Sequence, residues 1–150
     1  MEEEARRRGH RLLQVGSLLF LLALLVGLAV PRFAVPRLGL STHLLGLMQG
    51  TFLMVLGLVW PRLKLSGAQS RVGFVLAVYG CLAAWLANLL GAVWAAGNTM
   101  LPLAAGAARG SEFQEMVIRV LLVSAALSLI VALTLTVWGL RAISVTGSKS

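Results

Sequence analysis

The sequence predicts an all-α integral membrane protein, a bundle of four transmembrane helices forming a single domain over residues 1–150. Composition is the first reason: 59% of the residues are hydrophobic and 12% are charged, and the mean hydropathy is +0.91. A soluble globule of this size needs more polar surface. The second reason is that four apolar runs are long enough for a hydrocarbon core of about 30 Å. They cover residues 12–30, 42–60, 72–96 and 116–140.

The first run follows four arginines within residues 6–11, a pattern that also describes a secretory signal peptide. A signal peptide, however, has an apolar region of about 7 to 15 residues and then a small-residue cleavage site. Here the run is longer, and Pro-Arg-Phe follows it. We therefore expect it to be retained as the first span.

Turn-forming residues separate the other spans. Ser41 and Thr42 are good N-cap residues and predict the start of the second helix. The polar segment 66–70 separates the second span from the third. The connection 97–115 is the longest, which makes it the expected lid or entrance of any site. Cys81 is the only cysteine and excludes an intramolecular disulfide.

The basic residues predict the orientation. In a four-span protein the termini and the segment 61–71 share one side of the membrane, and the side richer in Lys and Arg is cytoplasmic. That side holds Arg6, Arg7, Arg8, Arg11, Arg62, Lys64, Arg71, Arg141 and Lys149. The other holds Arg32, Arg37 and Arg109, with Arg119 just inside the last span. We therefore expect a multi-pass protein of the cell inner membrane with both termini cytoplasmic. Its net charge of +8 suits anionic lipid headgroups and not nucleic acid. Trp60 and Trp138 are expected at the cytoplasmic interface, and Trp94 at the outer one.

Five polar residues lie toward the outer ends of three spans: His43, Gln49, Asn88, Glu115 and Arg119. Each has an ordinary explanation. His43 can sit at the headgroup boundary, and Gln49 and Asn88 can hydrogen-bond between packed helices. Arg119 can extend to the interface, and Glu115 suits the positive end of a helix dipole. Their clustering in one leaflet nevertheless favours a site there, because intramembrane polar groups are costly.

His43 is the candidate metal ligand. Behind Ser41 and Thr42 it is expected in the first turn of the second helix, where the helix dipole disfavours a charged imidazolium. A neutral imidazole is what a metal requires. One histidine cannot build a tetrahedral zinc site, but it suffices for haem, whose porphyrin supplies four further nitrogens.

Three stretches carry a resemblance to a known family: "RRRGHRLLQVGSLLFLLALLVGLAVPRFAVPRLGLSTHLLGLMQGTFLMVLGLVW", "VYGCLAAWLANLLGAVW" and "EFQEMVIRVLLVSAALSLIVALTLTVWGLR". They resemble the hydroxylaminobenzene mutases, small four-span proteins that are themselves similar to styrene oxide isomerases. The likeness runs from about residue 7 to residue 141. Its most specific part is residues 31–50, where His43 is followed six residues later by an amide and a glycine, Gln49 and Gly50.

The resemblance implies a redox-neutral intramolecular rearrangement of a small aromatic substrate, of the hydroxylaminobenzene to aminophenol type or the epoxide to aldehyde type. It implies ferric haem b as a Lewis acid, with His43 as axial ligand, between neighbouring subunits of a homotrimer. Gln49 would orient the substrate heteroatom, and Asn88 matches a polar third-span residue of the family. The sequence departs from the mutase pattern at Leu45 and Ala84, which replace an acidic residue and an Asn, and at Gln49, which replaces an Asn.

Two other functions stay open. The chain can be a non-catalytic membrane scaffold or subunit whose polar residues only join helices. A small proton-coupled exporter is disfavoured, because no carboxylate lies deep within a predicted span to carry the proton.

Overall fold

The structure, a computed structural model, describes residues 2–141 and is helical throughout its regular elements. It has four long helices and one short helix: α1 Glu2–Ala29, α2 Pro36–Val59, α3 Gly67–Trp94, α4 Pro102–Ala105 and α5 Glu112–Leu140. Short 3-10 turns, Val30–Arg32 and Trp60–Arg62, follow α1 and α2. The long helices are the four that are long and apolar enough to cross a membrane. This confirms the predicted all-α four-span class. Lys149 and the C-terminal end used in the orientation argument lie outside the described residues.

The predicted start of the second helix, at Thr42, was wrong by six residues. Helix α2 begins at Pro36, with Val35 in extended conformation as its N-cap. Proline is favoured there because the first helical N–H groups have no partner inside the helix. Thr42 is instead an interior residue, and its Oγ1 donates to the carbonyl of Leu38 at 2.8 Å. His43 therefore lies in the third turn and not in the first.

Helices α1 and α2 run antiparallel and touch through glycines. A methyl group built at Gly9 would lie 2.7 Å from the carbonyl oxygen of Gly57, and one at Gly16 would lie 2.7 Å from that of Gly50. Both partners are spaced by seven residues, so the same face returns every two turns. Such close approach is what drives helix association in lipid, where apolar side chains gain little by leaving their surroundings.

Helix α2 also packs against α3, and α3 packs extensively against α5. Trp60, at the end of α2, is buried inside the bundle at 1% exposure. Its Nε1 donates to Ser70 Oγ at 3.2 Å, and its ring meets Phe74 edge to face. Trp138 is 57% exposed, and the Arg141 guanidinium lies 4.8 Å from the centre of its ring.

Candidate active site

His43 faces helix α1. Its Nδ1 lies 2.7 Å from the carbonyl oxygen of Ala23. A carbonyl only accepts, so Nδ1 carries the proton and donates, which leaves the lone pair on Nε2. The Ala23 and His43 pair continues the seven-residue register of the glycine contacts. Gly27 makes room for the ring, because a methyl group there would lie 2.6 Å from Nδ1. The seam between α1 and α2 therefore fixes both the tautomer and the orientation of this imidazole.

The surroundings of His43 are apolar and partly open. Leu40 and Leu44, next to it on α2, are 48% and 50% exposed, and Leu28 on α1 is 76% exposed. Within residues 2–141 no group of three or more His, Cys, Asp or Glu side chains could hold a metal ion. A single oriented imidazole beside an apolar surface fits a metal that arrives inside a flat macrocycle, and does not fit a stand-alone ion. The residues present thus suit the haem expected from the sequence.

Gln49 lies near the middle of α2 and is 9% exposed. Its Oε1 is buried and has no hydrogen-bond partner among the described residues, and the same holds for Nε1 of Trp85 on α3. Between them lies Gly46, where a methyl group would be 2.6 Å from Trp85 Nε1 and 2.6 Å from Ala23 Cβ. Three helices therefore meet at Gly46, beside two unpaired polar atoms.

Asn88 has both ends of its amide paired within the chain. Its Nδ2 donates to the carbonyl of Ala84 at 3.0 Å, and its Oδ1 accepts from Ser41 Oγ at 3.1 Å. The side chain is 3% exposed. It thus links α3 to α2 near the end of the bundle where α4 lies.

The structure does not bring His43 and Asn88 into one pocket. Ser41 and His43 are two residues apart, so they point about 160° apart around the α2 axis. His43 consequently faces α1, while Asn88 meets α2 at Ser41 on the opposite side. Gln49 lies on the inner face between these directions. His43, Gln49 and Asn88 therefore lie within a few turns of one another along the bundle. They do not, however, point toward a common centre around α2.

Glu115 organises the long connection expected to be a lid. Its Oε1 accepts from the backbone N–H groups of Gly97 at 2.7 Å and Gly110 at 3.1 Å, and its Oε2 accepts from that of Thr99 at 3.2 Å. Short helix α4 packs back on α2 through Ala105 and Leu38. One carboxylate thus ties both ends of the connection to the start of α5. Arg119, one turn further on, is exposed and borders an opening of about 590 Å³ at this end.

Sequence reasoning missed three residues that the structure singles out: Trp85, Gly27 and Glu115 in its role as a backbone acceptor. Gly27 was detectable, because Gly9, Gly16 and Ala23 are spaced by seven residues and predict an α1 face of small residues. The unpaired indole of Trp85 had no signal in the sequence, since it depends on what α2 places opposite it.

Comparisons with known proteins identify the family of this chain. Residues 8–141 match the family model described as styrene oxide isomerase. The hydroxylaminobenzene mutase HabB of Ectopseudomonas oleovorans is 49% identical over 132 residues, which cover 88% of this chain and 80% of HabB. The mutase HabA of the same organism is 43% identical over 109 residues, covering 73% of this chain and 81% of HabA. No solved structure matches the chain. The chain therefore belongs to the styrene oxide isomerase family and is a membrane enzyme of the isomerase and mutase type.

Proposed function

We propose that this protein catalyses a redox-neutral rearrangement of a small aromatic substrate, of the hydroxylaminobenzene to aminophenol type, with ferric haem b held by His43. The names of its two mutase relatives support the reaction type. Substrate and product contain the same atoms, so the reaction needs no net oxidant or reductant. The epoxide to aldehyde reaction of the family's name is the second candidate.

The oriented imidazole of His43 is the observation that carries the proposal. Its Nδ1 proton is donated to Ala23, which leaves Nε2 free to coordinate a metal. Hydrogen bonds of this kind orient histidine ligands and raise their basicity. When bound, ferric haem supplies a Lewis-acidic iron for a substrate oxygen or nitrogen. The chain's own contribution there is a ligand of fixed direction and an apolar surface of Leu28, Leu40 and Leu44.

Gln49 is proposed to hold the substrate heteroatom through its unpaired amide oxygen. Asn88 is proposed to contribute from α3. Since His43 and Asn88 lie on opposite sides of α2 in one chain, a site that uses both requires a neighbouring copy. This supports a homo-oligomer, a trimer by resemblance to the family, in which one copy supplies His43 and the next supplies the α3 side.

The proposed location is the cell inner membrane, with the N-terminus and the segment between α2 and α3 on the cytoplasmic side. Substrates that are small arenes dissolve in the bilayer and reach the exposed faces of the helices from there. The alternative function, a scaffold without catalysis, predicts that Gln49 and Asn88 stabilise the bundle equally and that His43 binds nothing.

The test is the visible absorption spectrum of the detergent-purified protein, before and after adding hemin, with product analysis on hydroxylaminobenzene and styrene oxide. The wild type is expected to show a Soret band and to form a rearranged product. His43→Ala should lose both while eluting as the same oligomer. The matched control is His10→Ala, because His10 is the other histidine and is exposed on α1.

A Soret band that His43→Ala retains at full stoichiometry would remove the haem assignment, even if the rearrangement persists. If the protein forms the rearranged product without any haem, the proposed mutase function stands and only the haem assignment is overturned. No band and no product in either preparation would favour the scaffold.

A further inference from the structure

The two unpaired polar atoms of the described residues occur at one place. Gln49 Oε1 is an acceptor and Trp85 Nε1 is a donor, and both are buried. A buried polar atom without a partner loses its hydrogen bonds to water and gains nothing in return. Other buried polar side chains avoid this: Asn88, Trp60 and Glu115 all have partners. Such exceptions call for a specific explanation.

The geometry places both atoms on the same stretch of the α2 and α3 contact. The indole edge of Trp85 lies on the α2 backbone, since only the absence of a side chain at Gly46 admits it. Gln49 follows Gly46 by three residues, and residues three apart are neighbours on a helix surface. The indole N–H of Trp85 thus meets α2 about one helical turn before the residue that carries the unpaired acceptor.

A groove lies on the lipid-facing side of α2 and reaches the contact with α3 at Ser41. It has a volume of about 390 Å³ and is lined by Arg37, Leu40, Ser41, Leu44, Leu45 and Met48. Leu45 lies one turn before Gln49 on the same side of α2. Ser41 holds Asn88, which is one turn from Trp85 on α3. The volume is in the range of small-molecule sites, and the lining suits an arene that arrives from the bilayer.

We propose that Trp85 is a substrate-binding residue: its indole N–H donates to the oxygen of the substrate's polar group while the Gln49 carbonyl accepts a hydrogen from the same group. The assignment rests on the rearrangement proposed above. It also specifies a substrate class, an arene that carries an acceptor oxygen and a donor hydrogen side by side, as an aryl hydroxylamine does. An epoxide offers an acceptor alone and would leave Gln49 Oε1 unpaired. Sites built around hydrogen bonds discriminate strongly against analogues that lack them.

The experiment observes the indole N–H directly, by ¹⁵N NMR of the full chain in detergent. The sequence has four tryptophans, and the signal that disappears in Trp85→Phe is that of Trp85. Three unreactive probes are titrated: benzamide, with an acceptor and a donor; acetophenone, with an acceptor only; and toluene, with neither. Benzamide and acetophenone should shift the Trp85 signal and spare the other three, benzamide should bind more tightly, and toluene should leave its hydrogen bonding unchanged.

Gln49→Leu separates the two contacts. It should weaken the binding of benzamide about fivefold, which is the effect of one neutral hydrogen bond. The affinity for acetophenone should not change. Trp85→Phe should weaken the binding of both benzamide and acetophenone. The control Trp94→Phe, on the same helix, should weaken the binding of neither. Assignment by elimination from the other three Trp→Phe variants keeps the titration decisive if Trp85→Phe assembles poorly.

A Trp85 signal that benzamide does not move, or an equal movement of all four signals, would overturn the proposal. So would a Gln49→Leu protein that binds benzamide like the wild type. Rearrangement activity measured on the same samples keeps the two failures apart. An active enzyme with an unmoved Trp85 loses only this assignment, and a selective Trp85 shift in an inactive protein leaves a binding site without the proposed reaction.

Discussion

Helix α2 packs against α1 and α3 through two faces that differ in backbone distance and in the pairing of their polar atoms. Toward α1, Gly50 and Gly57 let the backbones touch, and the ring of His43 is fixed by a hydrogen bond. Toward α3, Ser41 and Asn88 are paired near the end of the bundle where α4 lies, but Gln49 and Trp85 each leave one polar atom unpaired.

This difference separates two kinds of contribution. The α1 face contributes stability and orients a ligand, because its glycines let the two backbones pack closely and the His43 ring is hydrogen-bonded. The α3 face gives up stability where its polar atoms are unpaired, and such departures are expected at functional sites. Substitutions at the paired contacts should therefore lower stability, whereas substitutions at the unpaired atoms should lower activity and spare stability.

A large loss of stability is expected from Gly50→Ala. The added methyl group would lie 2.8 Å from the Gly16 carbonyl oxygen and 2.9 Å from the Phe20 backbone nitrogen, and neither backbone can move without separating the helices. We expect the free energy of unfolding to fall by about 1 to 3 kcal/mol, the usual cost of overpacking. Thermal unfolding in detergent, followed by circular dichroism, measures it.

Gly67→Ala is the matched control, because a methyl group at Gly67 meets nothing within 4 Å. Its melting temperature should equal or exceed that of the wild type. Equal melting temperatures for Gly50→Ala and the wild type would contradict a seam held by direct backbone contact.

Gly27→Ala should act on the ligand and spare the fold. Its methyl group would lie 2.6 Å from His43 Nδ1 and 2.8 Å from Cε1, so the ring must rotate and lose its bond to Ala23. Losing the partner of a ligating histidine typically costs 10- to 100-fold in metal affinity, and we expect about that loss in hemin affinity. Hemin titration followed at the Soret band measures it, and unchanged affinity would show that this contact does not orient the ligand.

The helices could be predicted from the sequence because each is a long apolar run, and the family because His43, Gln49 and Gly50 keep a characteristic spacing. The start of α2 could not, since the apolar pattern weakens around Arg37, while the true start depends on Pro36 and its extended neighbour. The prediction of His43 in the first turn failed for the same reason.

The directions in which the side chains of α2 point could not be predicted from the sequence, for another reason. Depth along a helix follows from counting residues, but direction depends on which neighbour the helix packs against. The register of Gly9 with Gly57 and Gly16 with Gly50 sets that direction, and it turns His43 toward α1 and away from Asn88. The unpaired atoms of Gln49 and Trp85 likewise exist only once α2 and α3 are packed.

Gln49→Leu and Asn88→Leu compare an unpaired amide with a paired one. Asn88→Leu leaves Ser41 without its partner, and we expect a loss of about 1 to 3 kcal/mol in unfolding free energy. Gln49→Leu removes a buried acceptor that has no partner, so stability should stay the same or rise, while rearrangement activity falls. Thermal unfolding and product analysis on the same samples check both. If the two variants are equally destabilised, Gln49 serves as a link between helices, as the scaffold alternative requires.

A smaller loss of stability than that of Asn88→Leu is expected from Ser41→Ala, at the α4 end of the α3 face. It removes one hydroxyl and leaves Asn88 Oδ1 buried without a donor, for a loss of about 1 kcal/mol. Thr51→Ala is the control, because the Thr51 hydroxyl bonds only to the Leu47 carbonyl of its own helix and is exposed. The melting temperature of Ser41→Ala should therefore be lower than that of Thr51→Ala. Were the ranking reversed, the bond between Ser41 and Asn88 would not hold α2 to α3, and the unpaired Gln49 and Trp85 atoms would lie in a seam that is loose along its whole length.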